Sequence, residues 1–168
     1  MKTVYLVRHA KASWNQPELP DRERPLLPKG VRRTKLIGEY LRKKKVHPKL
    51  IISSDATRAR ETALILAAEL NYPAEAVLSD PRLYDAPETS FFDILASRNN
   101  AIASVMLVGH NPGMTQLLFR YAGETIDHLP TSGVVAIRFQ TRRWEELPLA
   151  KHKLEFLIYP RLIHPKDT

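Results

Sequence analysis

Val4-Tyr5-Leu6-Val7 runs without a break into Arg8-His9. Val and Tyr favour extended backbone, and an unbroken apolar run suits a strand covered on both faces, as in a parallel sheet. A permanent cation and an imidazole then stand at the carboxyl end of a buried strand, the edge at which open α/β sheets bind ligands. The arrangement recurs twice. Leu50-Ile51-Ile52 leads into Ser53-Ser54-Asp55-Ala56-Thr57-Arg58-Ala59-Arg60, and Val105-Met106-Leu107-Val108 leads into Gly109-His110-Asn111-Pro112. Parallel strands would bring all three polar ends to one edge of the sheet.

Outward from these runs, strands alternate with helical patterns. Strands are expected at Thr3–Val7, Leu50–Ser53, Ala76–Ser79, Val105–Val108, Val134–Phe139 and Leu154–Tyr159. Helices are expected at Lys29–Lys45, with Leu36, Ile37, Tyr40 and Leu41 on one face, and at Thr57–Leu70, with a stripe of Ala63, Leu64, Ile65 and Ala68. Two more are expected at Glu88–Arg98, burying Phe91, Phe92 and Leu95, and at Pro112–Tyr121. The order β-α-β-α-β-α-β-α-β-β implies an α/β fold of three layers, α/β/α. Its sheet is mostly parallel, with an antiparallel edge strand near the C-terminus. Residues 1–168 read as one domain. Ser13–Pro28 carries Pro17, Pro20, Pro25 and Pro28 and reads as a long loop over the strand ends. Thr141–Lys153 reads as a solvated excursion between the last strands.

Composition narrows the classes. The chain has no cysteine, which excludes disulfides, thiolate metal sites and cysteine nucleophiles. No stretch reaches the roughly 18 to 20 apolar residues of a membrane helix. Met1-Lys2-Thr3 enters a strand almost at once, so no signal peptide is expected and a cytoplasmic location is the simplest reading. The net charge is +8, which suits an anionic partner. The densest run, Arg42-Lys43-Lys44-Lys45, reads as a solvated helix end complementing the helix dipole. No aromatic residues interleave with it as a nucleic-acid platform would require, so nucleic acid is not expected as partner.

The polar ends each have a bland reading. A lone His after a strand is usually a loop residue, and Ser54 or Asp55 can serve simply as a helix N-cap. Arg58 is more telling, because a cation in a helix's first turn is disfavoured unless an anion is bound there. Two histidines suggest zinc, yet Arg8 beside His9 repels a cation and no third ligand joins them, so no metal is expected. No Walker-type lysine loop and no G-x-S-x-G element is present. Two arginines with two histidines suit a dianionic phosphoryl group: guanidiniums hold the equatorial oxygens and an imidazole attacks phosphorus in line.

Three blocks carry a resemblance: Leu6-Val7-Arg8-His9-Ala10, Ser53 to Ala63, and Val108-Gly109-His110-Asn111-Pro112-Gly113. They resemble, in order, the signature blocks of the histidine phosphatase superfamily, the phosphoglycerate mutase-like proteins. Ala10 stands where Gly is commoner. The short length and the blocks Arg24-Pro25-Leu26, Leu83-Tyr84-Asp85-Ala86 and Pro130-Thr131-Ser132-Gly133 resemble SixA-type phosphohistidine phosphatases. The resemblance implies a phosphoglycerate mutase-like fold with His9 as nucleophile and Arg8 and Arg58 on phosphate oxygens. His110 would donate to the phosphoryl group, and Asn15 would be a further substrate contact. Lys11 and Ser13 are lesser candidates. It implies no cofactor and no metal. Larger relatives protonate the leaving group with a carboxylic acid. Asp85 and Glu88 are candidates for that role by position, and Asp21 and Glu23 lie in the long loop, but each also reads as a surface carboxylate. The expected substrate is a protein carrying phosphohistidine, such as a histidine phosphotransfer domain. The alternatives are a small phosphomonoester or a non-catalytic basic binding module. Oligomeric state is not written in the sequence.

Overall fold

The computed structural model describes residues 1–164. Its centre is one six-stranded sheet. In chain order the strands are β1 (Lys2–Arg8), β2 (Leu50–Ser53), β3 (Leu78–Ser79), β4 (Ser104–Gly109), β5 (Val134–Phe139) and β6 (His152–Ile158), and their order across the sheet is β3-β2-β4-β1-β5-β6. The helices are α1 (Pro28–Lys43), α2 (Thr57–Glu69), α3 (Glu88–Ala96), α4 (Gly113–Ala122) and the single turn α5 (Pro160–Ile163). Strands β3, β2, β4 and β1 are parallel. The reversed strand near the C-terminus is β5, which is antiparallel to β1 on one side and to β6 on the other. It therefore lies one place in from the edge, and β6 closes the sheet.

The pleat sorts the apolar runs onto two faces, since successive side chains on a strand point opposite ways. Val4, Leu6, Val105 and Leu107 face one core with Phe91, Ile94 and Leu95 of α3 and Met114, Leu117 and Leu118 of α4. Val7, Met106 and Val108 face the other, with Ile37 and Leu41 of α1 and Ala59, Ala63, Leu66 and Ala67 of α2. Helices thus cover both faces, which is why β1 and β4 read as continuous hydrophobic runs.

Several local expectations change. On α1, Ile37 and Leu41 are buried while Leu36 and Tyr40 are only half-buried. On α2 the buried face is Ala59, Thr62, Ala63, Leu66 and Ala67, whereas Leu64 and Ile65 are half-buried and Ala68 is exposed. Close packing of α2 on α1 explains this. Gly38 of α1 lies against Glu69, and a Cβ there would come within 2.6 Å of the Glu69 side chain, so the contact selects small residues. On α3, Phe92 is half-buried beneath the Arg120 guanidinium. The segment Thr141–Lys153 is not merely solvated. It holds a 3-10 turn, Trp144–Leu149, that buries Trp144 and Leu147 against the α3 core, and the Trp144 indole N–H donates to the Ile102 carbonyl at 3.0 Å. The basic run is exposed at the end of α1, where Arg42 pairs with Glu69 and Lys43 with Glu39. No helix of the described residues is long and apolar enough to cross a membrane.

Candidate active site

Strand register assembles the site. Arg8 of β1 pairs with Gly109 of β4, so the next residues, His9 and His110, leave the sheet side by side. The His9 amide donates to the Gly109 carbonyl at 2.9 Å. Ser53 of β2 pairs with Val108, and the Ser54 amide donates to the Val108 carbonyl at 2.9 Å. Three adjacent parallel strands therefore deliver Arg8-His9, Ser54 and His110 to one edge. The turn after Ser54 starts α2 and brings in Arg58, whose side chain is buried. The imidazole centroids of His9 and His110 are 5.1 Å apart. A cleft of about 400 Å³ opens here, lined by Arg8, His9, Asn15, Arg24 and Arg58 together with Lys11, Ala12, Trp14, Leu27 and Thr131.

Hydrogen bonds define the state of each imidazole. His9 Nδ1 lies 2.7 Å from the Ala10 carbonyl oxygen. A carbonyl can only accept, so Nδ1 carries the proton and Nε2 presents its lone pair. His110 Nε2 lies 2.8 Å from Ser54 Oγ. That oxygen already accepts the Ala56 amide at 3.1 Å. The buried Ser54 hydroxyl proton has its acceptor in His110 Nε2, which puts the His110 proton on Nδ1. Burial also keeps both rings neutral: it is the main cause lowering His9 to about 3 and His110 to about 4. Their neighbours Arg58 and Arg8 push in the same direction.

The cations are held from behind. Arg8 Nη1 donates to the Leu129 carbonyl at 3.1 Å. Arg58 donates from Nη1 to the Asp21 carbonyl at 2.7 Å and from Nη2 to the Asp21 carboxylate at 2.9 Å. Four buried side-chain nitrogen or oxygen atoms among the described residues have no partner: Arg8 Nε, Arg58 Nε, His110 Nδ1 and the Tyr121 hydroxyl. Three of the four are donors belonging to this cluster. Unpaired buried donors are costly, and an oxyanion is the species that satisfies such a set.

The remaining candidates are placed differently. Asn15 lines the cleft beside Lys11, while Ser13 lies in the adjoining loop, where its hydroxyl accepts the Asn15 amide at 3.0 Å. Asp85 is exposed and does not line the cleft. Glu88 opens α3, pairs with Arg120 and does not line the cleft. Glu23 is exposed in the loop. Asp21 comes closest, but it accepts from Tyr84, Arg24 and Arg58. The Tyr84 hydroxyl above all, with the two guanidiniums, holds its carboxyl far below the usual carboxylate range. It is an anion that positions Arg58, and among the described residues no carboxylate lines the cleft.

Sequence reasoning did not find Ser54 as the partner of His110, nor Tyr84, whose ring meets His110 edge-on at 5.3 Å. Neither Ser54 nor Asp55 caps α2. Its N-cap is Ala56, and Asp55 pairs with Arg22 instead. Trp14 stands at the cleft mouth, 74% exposed, with the Arg24 guanidinium 3.3 Å from its ring centroid. Among the described residues no group of three or more His, Asp or Glu side chains is placed to hold a metal ion.

Comparison with known proteins agrees with this geometry. Residues 4–86 match the model of the histidine phosphatase superfamily, branch 1. An uncharacterized protein of Picosynechococcus is 34% identical over 144 residues, 80% of this chain and 84% of that protein. The phosphohistidine phosphatase SixA of Escherichia coli is 26% identical over 153 residues, 86% of this chain and 93% of that one. A crystal structure from Agrobacterium tumefaciens that carries the SixA name superposes with a TM-score of 0.80 at 28% identity, covering 95% of this chain and 98% of that one. In sequence blocks, strand order and convergent site alike, this chain belongs to the histidine phosphatase superfamily, with the fold of its SixA-type members.

Proposed function

We propose that this phosphatase removes the phosphoryl group from phosphohistidine in a protein, by way of a covalent phosphohistidine at His9. Nε2 of neutral His9 attacks phosphorus in line as the bond to the leaving imidazole nitrogen breaks. Arg8 and Arg58 hold the equatorial oxygens, His110 donates its Nδ1 proton to the oxyanion, and Asn15 contacts the substrate at the rim. Water then attacks phospho-His9, releases inorganic phosphate and restores the imidazole. The observation that carries the reading is the set of three buried, unpaired donors on Arg8, Arg58 and His110 around a His9 whose Nε2 is free of a proton. The substrate class is supported by the cleft lining, which among the described residues includes no carboxylate to act as general acid. An imidazole leaving group asks far less of an acid than an alkoxide does. The same proposal treats residues 1–168 as one domain acting in the cytoplasm, with no metal or cofactor.

The test is phosphate release from a histidine-phosphorylated protein and from an aryl phosphate, by wild type and by His9→Ala. We expect wild type to turn over the phosphoprotein and His9→Ala to lose turnover of both, with an unchanged circular dichroism spectrum. Release from the aryl ester alone would keep the nucleophile and move the substrate to a small phosphomonoester. Full activity in His9→Ala would overturn the mechanism. Inactivity of wild type on every phosphate, with salt-sensitive binding that survives His9→Ala, would leave a basic binding module.

A further inference from the structure

The two guanidiniums of the site are held in different ways. Arg58 is tied to the Asp21 carboxylate, whereas Arg8 Nη1 donates to a neutral acceptor, the Leu129 carbonyl, at 3.1 Å. Leu129 lies in the loop after α4 and is fully buried. Its carbonyl accepts a second hydrogen bond, from Asn111 Nδ2, also at 3.1 Å. A carbonyl oxygen has two lone pairs, so these two donors use its whole capacity. The Leu129 amide donates to Thr115 Oγ1 at 3.0 Å, and that hydroxyl donates to Asn111 Oδ1 at 2.9 Å. Asn111 Oδ1 also accepts the Thr115 amide at 3.1 Å. Asn111, Thr115 and both polar backbone groups of Leu129 thus close a ring of hydrogen bonds, and Arg8 joins it at one oxygen.

The ring admits one arrangement. The Thr115 amide only donates, so the Asn111 atom facing it is the oxygen, and the Asn111 NH2 group must face the Leu129 carbonyl. Asn111 follows His110 at the end of β4, and Thr115 sits in the first turn of α4. The peptide groups of a loop residue are therefore clamped to the start of a helix. The clamp aims the Leu129 carbonyl at Arg8 Nη1 and leaves Arg8 Nε, buried and unpaired, for another acceptor. A neutral carbonyl fixes the fork of the guanidinium without cancelling its charge. The geometry points to Asn111 as a positioning residue of the phosphoryl site: it orients Arg8 through the Leu129 carbonyl, and the Thr115 hydroxyl locks its amide. The inference rests on the reading of Arg8 as a phosphate ligand. A guanidinium already held in place loses less freedom when an oxyanion binds, so the clamp favours binding without touching the anion.

The experiment measures the Kd of tungstate, a tetrahedral oxyanion, for wild type, Asn111→Ala, Arg8→Ala and the double variant. Tungstate binding does not depend on which phosphorylated substrate the site takes. Arg8→Ala should weaken it. Asn111→Ala should raise Kd by about three- to tenfold when Arg8 is present, the range of one lost hydrogen bond, and by less than about twofold when Arg8 is absent. A residue that merely supports the fold would give the same loss in both backgrounds. Circular dichroism checks that each variant is folded. Should Asn111→Ala fail that check, Thr115→Val and Thr115→Ser carry the same test. Valine removes the hydroxyl and should weaken tungstate only when Arg8 is present, while serine keeps the hydroxyl and should bind as wild type does. Equal losses with and without Arg8, an unchanged Kd in Asn111→Ala, or valine and serine behaving alike would overturn the inference. Tungstate binding indifferent to Arg8→Ala would instead overturn the reading of Arg8 as a phosphate ligand, and the inference with it.

Discussion

At the residue scale the site depends on where two protons sit. His9 and His110 are neutral because burial lowers them to about 3 and about 4, against about 6.5 for a free imidazole. Between those values the unfolded chain binds protons that the native site refuses. Stability is therefore complete above pH 6.5 and falls as pH drops through that value towards the folded-state pKa values, by up to about 1.4 kcal/mol per pH unit for each ring. We expect imidazole NMR signals of both residues to stay at their neutral positions from pH 8 to 5, and a lower denaturant midpoint at pH 5 than at pH 7.5. Titration of either ring near 6.5 would contradict the burial described here. Ser54 gives a second prediction. Ser54→Ala removes the acceptor-side lock on His110, so its ¹⁵N shifts should report mixed tautomers. We expect kcat to fall about tenfold with little change in KM, less than the roughly hundredfold or greater loss when a transition-state donor is removed outright.

At the scale of elements, the strands were legible and the helix faces less so. The runs at 4–7, 50–52 and 105–108 are continuous because both sides of the sheet are covered, and that pattern survives without knowledge of any partner. Their polar ends could be expected to converge for the same reason. What the sequence did not carry is the register that sets His9 beside His110, or the Ser54 hydroxyl 56 positions from the ring it orients. The buried face of α2 is rotated from the expected stripe because the close approach of α1 takes Ala59, Thr62, Ala63, Leu66 and Ala67 into the contact and leaves Leu64 and Ile65 half-buried and Ala68 exposed. The expected solvated excursion at Thr141–Lys153 differs for another reason: polar neighbours such as Arg142, Arg143, Glu145 and Glu146 surround Trp144, which is 1% exposed. Trp144→Ala should cost about 3–5 kcal/mol in urea unfolding, as for other buried aromatics. A loss below about 1 kcal/mol would show that the 3-10 turn is an ornament on the core.

At the scale of the whole molecule, excess positive charge surrounds an anion site. Lys11, Arg24 and the two proposed phosphate ligands line the cleft, and the whole chain carries a net charge of +8. Encounter with an acidic phosphoprotein should then be electrostatically steered. We expect kcat/KM to fall by roughly an order of magnitude as salt rises from about 0.01 M to about 0.3 M, because the Debye length shrinks from about 30 Å to below 10 Å. A salt-independent rate would mean that the charge plays no part in encounter. The molecule also contains its own pair of optical probes. Its two tryptophans occupy opposite environments, Trp14 in water at the cleft mouth against a guanidinium and Trp144 sealed in the core. Red-edge emission and quencher access belong to Trp14 and report the occupancy of the cleft. The blue, protected emission belongs to Trp144 and reports the integrity of the fold. A single unlabelled sample can therefore separate a ligand that binds from a condition that unfolds.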